Sequence, residues 1–165
     1  MRRVSLDRFV ESHKLAPLLK SFHDKGQKVV FTNGVFDLLH AGHVTYLQAA
    51  RKMGDLLVVA LNSDESVRRI KGPLKPLIPL AERAEMLLAL SCVDFTTFFE
   101  ESDPLEVIRT LRPDVLVKGA DWAPEKIIGK DLVESWGGKV VNVDLVPGRS
   151  TTNLIAAVRE RYGKK

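Results

Sequence analysis

"KVVFTNGVFDLLHAGHVTYLQAARKMGDLLVVALN" (Lys28–Asn62) holds the pattern that decides the fold. It opens with a β-branched run, Lys28–Asn33, that ends in polar residues and reads as a buried strand. Apolar residues then recur at Val44, Leu47, Ala50 and Met53, the spacing of a helix over His43–Met53. Gly54 closes that helix as a C′ residue would. "DLLVVALN" (Asp55–Asn62) is a second buried strand.

The same alternation continues downstream. "SDESVRRI" starts with the cap formers Ser63 and Asp64 and reads as a short helix. "KGPLKPLIP" is a loop rich in proline and glycine. "LAERAEMLLAL" is a helix and "VDFTTFF" a strand. Pro104–Leu111 is a helix with Asp103 as its cap. "PDVLVKG" is a strand ending at Lys118-Gly119, Glu125–Trp136 a helix, "GGKVVNVDLV" a turn and strand, and Thr151–Tyr162 a closing helix. Upstream, residues 1–27 read as an N-terminal helical segment, with residues 28–165 as the main domain. The strands are continuously apolar rather than alternating, the mark of a parallel sheet covered on both faces. The expected fold is α/β: one doubly wound, five-stranded, Rossmann-like parallel sheet with right-handed crossovers.

Composition sets outer limits. A chain of 165 residues fits one domain and can bury about 68–70% of its unfolded surface. One cysteine, Cys92 in "LALSCVDF", allows no disulfide framework and reads as a small buried hydrophobe. The net charge of +4 is too mild and too scattered for a nucleic-acid face. Asp7, Glu11 and Lys14 interrupt any early apolar run, so no leader peptide is expected. The apolar run Leu56–Leu61 is far shorter than the roughly 20 residues that span a bilayer. A cytoplasmic protein without membrane or nucleic-acid partners is expected.

In a doubly wound sheet, ligands bind beyond the carboxyl ends of the strands. "TNGVFDLLHAGH" lies there and runs into a helix N-terminus, where free N–H groups and the macrodipole favour phosphates. Gly34 is expected to allow a tight turn and Gly42 a close ligand approach. His40 and His43, three residues apart, face one side. They form a donor pair for an oxyanion. His-x-x-His is also half of a zinc site, but His13 and His23 offer no second ligand cluster, so no protein-held metal is expected. A Walker loop and a Gly-x-Gly-x-x-Gly after a strand are both missing.

"FTNGVFDLLHAGH" resembles the signature of the nucleotidyltransferase superfamily that carries a His-x-Gly-His motif. "VALNSDESVRRIKG", "PLAERAEMLLAL", "LRPDVLVKGADW" and "GRSTTNLI" are similar to the D-glycero-β-D-manno-heptose 1-phosphate adenylyltransferases. The likeness covers roughly Lys28 to Val158; Val35 departs from it, standing where that family has cysteine. It implies transfer of AMP from ATP to a heptose 1-phosphate, giving ADP-heptose and pyrophosphate for the lipopolysaccharide inner core. It also implies Mg²⁺ held mainly by phosphates, a homodimer, and a stand-alone form whose heptose kinase is a separate protein. On this basis His40, His43, Lys71 and Arg83 are the expected catalytic residues. Arg83 also sits early in its helix, where a cation opposes the macrodipole and a phosphate role is favoured. Thr32, Asn33, Gly34, Val35, Phe36, Gly42, Lys118, Ser150, Thr151 and Thr152 are expected to bind nucleotide; Ser150 is also a good N-cap. Asp37, Asn62, Asp64, Asp121 and Trp122 are expected to bind the sugar phosphate, with Asp37 alternatively holding its loop. Two other readings stand beside this one: a glycerol-3-phosphate-type cytidylyltransferase and a non-catalytic nucleotide-binding module. The first tends toward "WGH" where this chain has "AGH".

Overall fold

The computed structural model describes residues 6–120, 122–144, 148 and 151–163. Ser150 and Asp121, both named above, lie outside the described residues. Five strands, β1 (Val29–Gly34), β2 (Leu56–Asn62), β3 (Phe95–Phe99), β4 (Val115–Gly119) and β5 (Lys139–Val143), form one parallel sheet in the order β3-β2-β1-β4-β5. The helices are α1 (Ser12–His23), α2 (Ala41–Arg51), α3 (Asp64–Lys71), α4 (Leu80–Leu88), α5 (Leu105–Leu111), α6 (Lys130–Ser135) and α7 (Thr151–Tyr162). No helix among the described residues is long and apolar enough to cross a membrane.

Strand side chains alternate between the two faces of a sheet, and here both faces are buried. Val29 and Phe31 of β1, Val58 and Ala60 of β2 and Leu116 of β4 join a core with Leu15 and Leu19 of α1, Ile108 of α5 and Val133 of α6. Val30, Leu57, Val59, Val115 and Val117 join the other core, with Leu47 and Ala50 of α2 and Leu87 of α4. All seven residues of β2 are buried. This two-sided burial explains why the strands read as unbroken apolar runs. The N-terminal segment belongs to the same body. Phe9 makes a parallel bridge to Thr96. Arg8 donates to the carbonyls of Val93 (2.9 Å) and Leu88 (2.9 Å).

Three local expectations are corrected. Helix α2 ends at Arg51 with Lys52 as its C-cap, so Gly54 is not the helix stop. A Cβ on Gly54 would stand 2.7 Å from the Lys28 carbonyl oxygen and 2.7 Å from Val30 Cγ2. This glycine lets the connection into β2 press against the start of β1. The helix expected over Glu125–Trp136 is a 3₁₀ turn at Pro124–Lys126 followed by α6, broken at Gly129, whose φ is +90°. Lys71 is the last residue of α3 rather than part of the loop after it.

Because β1 is central, the close approach at Gly54 has an energetic consequence. Gly54→Ala is expected to lower unfolding free energy by about 1–3 kcal/mol, the usual cost of overpacking. It would appear as a lower urea midpoint at unchanged slope; an unshifted midpoint would show that the strand yields.

Candidate functional site

The order β3-β2-β1-β4-β5 reverses direction between β1 and β4. Beyond the carboxyl ends of the strands lies a cleft of about 530 Å³, within the range of small-molecule sites. Its wall includes Asn33, Gly34, Val35 and Phe36 after β1, and His40, Gly42 and His43 at the start of α2. Asn62 contributes from β2, Lys71 from α3, Lys118 from β4, and Trp122 and Thr151 from beyond the last strands named. Twelve residues picked from sequence therefore meet in one place.

The chain turns sharply between β1 and α2, but not at Gly34. The left-handed residue is Phe36, with φ 49°. The Phe36 ring lies where a Cβ on Gly34 would come within 2.9 Å of it. That ring also meets His43 with centroids 5.3 Å apart. His40 is the N-cap of α2, its Nδ1 accepting the His43 backbone N–H at 3.4 Å, at the long end for a hydrogen bond.

The two imidazoles stack, with centroids 3.8 Å apart and planes 17° apart. Two charged rings at that spacing would repel strongly. Burial, and then the neighbouring His40, push the His43 pKa down to about 4. His43 is neutral at pH 7. Among the described residues its buried Nδ1 has no hydrogen-bond partner, so Nε2 is the nitrogen left to meet a ligand.

Lys118 is nearly buried at the end of β4. Its Nζ donates to Asn33 Oδ1 across the switch point and lies 5.8 Å from the centre of the Trp122 ring. Trp122 is 46% exposed, so it presents an open aromatic face at the cleft rather than packing in the core. Thr151, at the head of α7, donates from Oγ1 to the Leu38 carbonyl at 3.4 Å.

Other residues named from sequence lie off the wall. Arg83 is fully buried. Its guanidinium donates to the carbonyls of Val35 (2.6 Å), Asn62 (2.9 Å) and Ile78 (2.9 Å) and to Asp64 Oδ1 (2.7 Å). The macrodipole conflict expected at its helix position is met inside the protein by these acceptors. Asp37, 5% exposed, accepts the backbone N–H groups of Leu77 (2.8 Å) and Ile78 (2.9 Å) and faces Lys75 Nζ at 3.4 Å. It holds the proline-rich loop. Thr32 is buried, with Oγ1 2.7 Å from the Tyr46 hydroxyl. Thr152 is exposed and off the wall.

Sequence reasoning missed several wall residues: Tyr46, Ile70, Phe99, Ser102, Asp103, Pro104 and Ile128. Tyr46 lies one turn after His43, and its hydroxyl donates to the Val117 carbonyl at 3.0 Å. With Thr32 it ties α2 to β1 and β4. An aromatic residue one turn past a phosphate-type motif was the available signal. For Ser102 and Asp103 the signal was weaker: they follow a strand that ends at the same edge.

The histidine pair has a measurable signature. Because the folded pKa of about 4 lies below the ordinary 6.5, the unfolded chain binds more protons between those values. Stability should therefore fall as pH drops from 6.5 toward 4, and His43→Asn should lose that part of the slope. An NMR titration of His43 near 6.5 instead of about 4 would refute the buried, stacked arrangement.

Comparison with known proteins places this geometry. The family described as cytidylyltransferase-like matches residues 31–162. A bifunctional protein HldE from Syntrophotalea carbinolica is 60% identical over 148 residues, which are 90% of this chain and 30% of that protein. The corresponding protein of Geobacter sulfurreducens is 53% identical over 151 residues, 92% of this chain and 31% of that one. The chain thus spans about three-tenths of the length of these curated relatives. A crystal structure of the lipopolysaccharide core biosynthesis protein from Thermoplasma volcanium superposes with a TM-score of 0.59 at 30% identity, over 73% of this chain and 98% of that one. With its His-x-Gly-His turn at the switch point of a parallel sheet, the chain belongs to the cytidylyltransferase-like family of nucleotidyltransferases.

Proposed function

We propose that the protein transfers AMP from ATP to a heptose 1-phosphate, releasing pyrophosphate and giving ADP-heptose. The observation that carries adenylyl transfer is the stacked His40–His43 pair at the N-terminus of α2, in one cleft with Lys71 and Lys118. The likeness to the HldE proteins and to the lipopolysaccharide core protein supports the choice of acceptor.

The chemistry needs little from an acid or base. A sugar phosphate has a second pKa near ~6 and is already dianionic at neutral pH. One of its oxygens attacks the α-phosphorus of ATP. A new P–O bond forms as the bond to the bridging oxygen breaks, and pyrophosphate leaves with that electron pair. The protein has to align the two phosphates and stabilise charge on the transition state and leaving group. Neutral His43 donates one N–H without the desolvation cost of a buried cation. The N–H groups opening α2 point the same way. Lys71, exposed at the end of α3, can follow the β- and γ-phosphates, and Lys118 the α-phosphate. Trp122 offers a face for base or sugar. Arg83 and Asp64 are assigned a positioning role, through the Val35 and Asn62 carbonyls, rather than direct contact.

Mg²⁺ fits this donor set as an ion that arrives with ATP. Among the described residues no three His, Cys, Asp or Glu side chains group to hold a metal. Magnesium commonly keeps waters and phosphate oxygens as most of its ligands. When bound it neutralises phosphate charge. A kinase reaction on the sugar can supply the acceptor's anomeric phosphate, and we propose a cytoplasmic setting and a homodimer.

Pyrophosphate release should occur with ATP plus heptose 1-phosphate and yield ADP-heptose. Release with CTP and not ATP would replace this reading by the cytidylyltransferase one. His43→Ala should lower kcat by roughly 10²–10³ through loss of a transition-state donor, with the melting temperature little changed. Full activity in that variant would remove His43 from the mechanism.

A further inference from the structure

The cleft has two chemically different walls. One is built by the β1–α2 connection and the first turn of α2, over the sheet face that α2 and α4 cover. It carries the imidazoles and helix N–H groups. The other is built by the connection from β3 to α5, over the opposite face, where α1, α5 and α6 pack. It carries Phe99, Ser102, Asp103 and Pro104, with Ile70 of α3 beside them. Asp103 is the only carboxylate among the described residues of the wall.

A carboxylate is the wrong group to meet phosphate oxygens, because like charges at close range repel. It is the right group to accept hydrogen bonds from sugar hydroxyls, and charged acceptors make the stronger ones. Ser102 adds a hydroxyl that both donates and accepts. Phe99, Pro104 and Ile70 supply apolar surface for the C–H face of a sugar ring. The wall sits on edge strand β3, three strand intervals from Lys118 on β4, or roughly 14 Å. That separation leaves room for a phosphate chain between the two ends.

The wall is also held in place. The Glu101 carbonyl accepts the Ser66 hydroxyl at 2.6 Å, and Ser66 Oγ in turn accepts from Asn62 Nδ2 at 3.0 Å. Arg69 Nη2 donates to the Glu100 carbonyl. Asp103 Oδ1 accepts the Leu105 backbone N–H at 2.9 Å. One carboxylate oxygen is thus used to fix the loop, and the exposed side chain keeps the other for a ligand.

We infer that Ser102 and Asp103 form the polyol-reading half of the cleft and set which sugar phosphate is accepted. This rests on the adenylyl-transfer reading, and it assigns the acceptor's hydroxyls to the β3–α5 connection and its phosphate to the imidazole side.

The test is steady-state kinetics on the full chain with ATP, Mg²⁺ and heptose 1-phosphate. Asp103→Asn is nearly isosteric and keeps an oxygen for the Leu105 N–H. It should raise the KM for heptose 1-phosphate by roughly 3–10-fold, the effect of weakening a charged hydrogen bond. The KM for ATP and the apparent Mg²⁺ constant should stay within about twofold. Ser102→Ala, which removes only a hydroxyl, should move the same constant in the same direction. An unchanged acceptor KM in both variants overturns the assignment while wild-type turnover leaves adenylyl transfer standing. A raised Mg²⁺ constant with unchanged acceptor KM also overturns it, by making Asp103 a metal ligand. If the wild-type protein releases no pyrophosphate with any sugar phosphate, both readings fall together.

Discussion

The guanidinium of Arg83 occupies the point where the pieces of the site are joined. A fully buried arginine is tolerable only if its donors are matched. Here the matches come from the turn after β1 (Val35), the end of β2 (Asn62), the start of α3 (Asp64) and the loop before α4 (Ile78). Each of these elements must come to the same spot for the charge to be satisfied. Val35 and Asn62 are themselves part of the cleft wall. The burial of one cation thereby fixes part of the cleft floor, and the arginine placed early in α4, against the helix dipole, finds its physical reason.

Around that strut the remaining polar groups divide into holders and donors. Asp37 spends its carboxylate on the loop at Leu77 and Ile78. Tyr46 and Thr32 lock α2 to the central strands. These groups are buried, and buried polar groups must be paired. His40, His43, Lys71 and Trp122 stand at the solvent edge of the same frame. This is the division expected of a phosphoryl-transfer site, where rigid supports matter because positioning and electrostatics supply most of the catalysis. The stacked imidazoles fit the same logic. By keeping His43 uncharged, its partial burial leaves a neutral hydrogen-bond donor that folding has already partly desolvated.

Much of this was legible in the chain. Unbroken apolar runs at β1, β2 and β4 require a sheet covered on both faces, and their alternation with helical spacing requires parallel strands. His40 and His43 are close in sequence and sit at a helix start, so local geometry alone brings them together. Lys118 ends a strand, so the fold rule about carboxyl edges places it. Gly54 and Gly34 were misread for a common reason. A glycine's sequence context suggests a turn, but only the neighbouring strand at Lys28 and Val30, or a ring such as Phe36, shows that lost space is the actual constraint.

The sequence by itself therefore determined the layer architecture, the edge at which the cleft opens and the imidazole pair, because period, run length and short spacings are local quantities. The tertiary structure alone decided that Arg83 faces inward, that Asp37 holds a loop, and that Ser102 and Asp103 form the opposite wall. Arg83 reaches Asp64, Asn62 and Val35, which are 19, 21 and 48 residues away, and Asp37 reaches Leu77 and Ile78, 40 and 41 residues away; a side chain's choice among distant partners is settled only when burial makes every unmatched polar group costly.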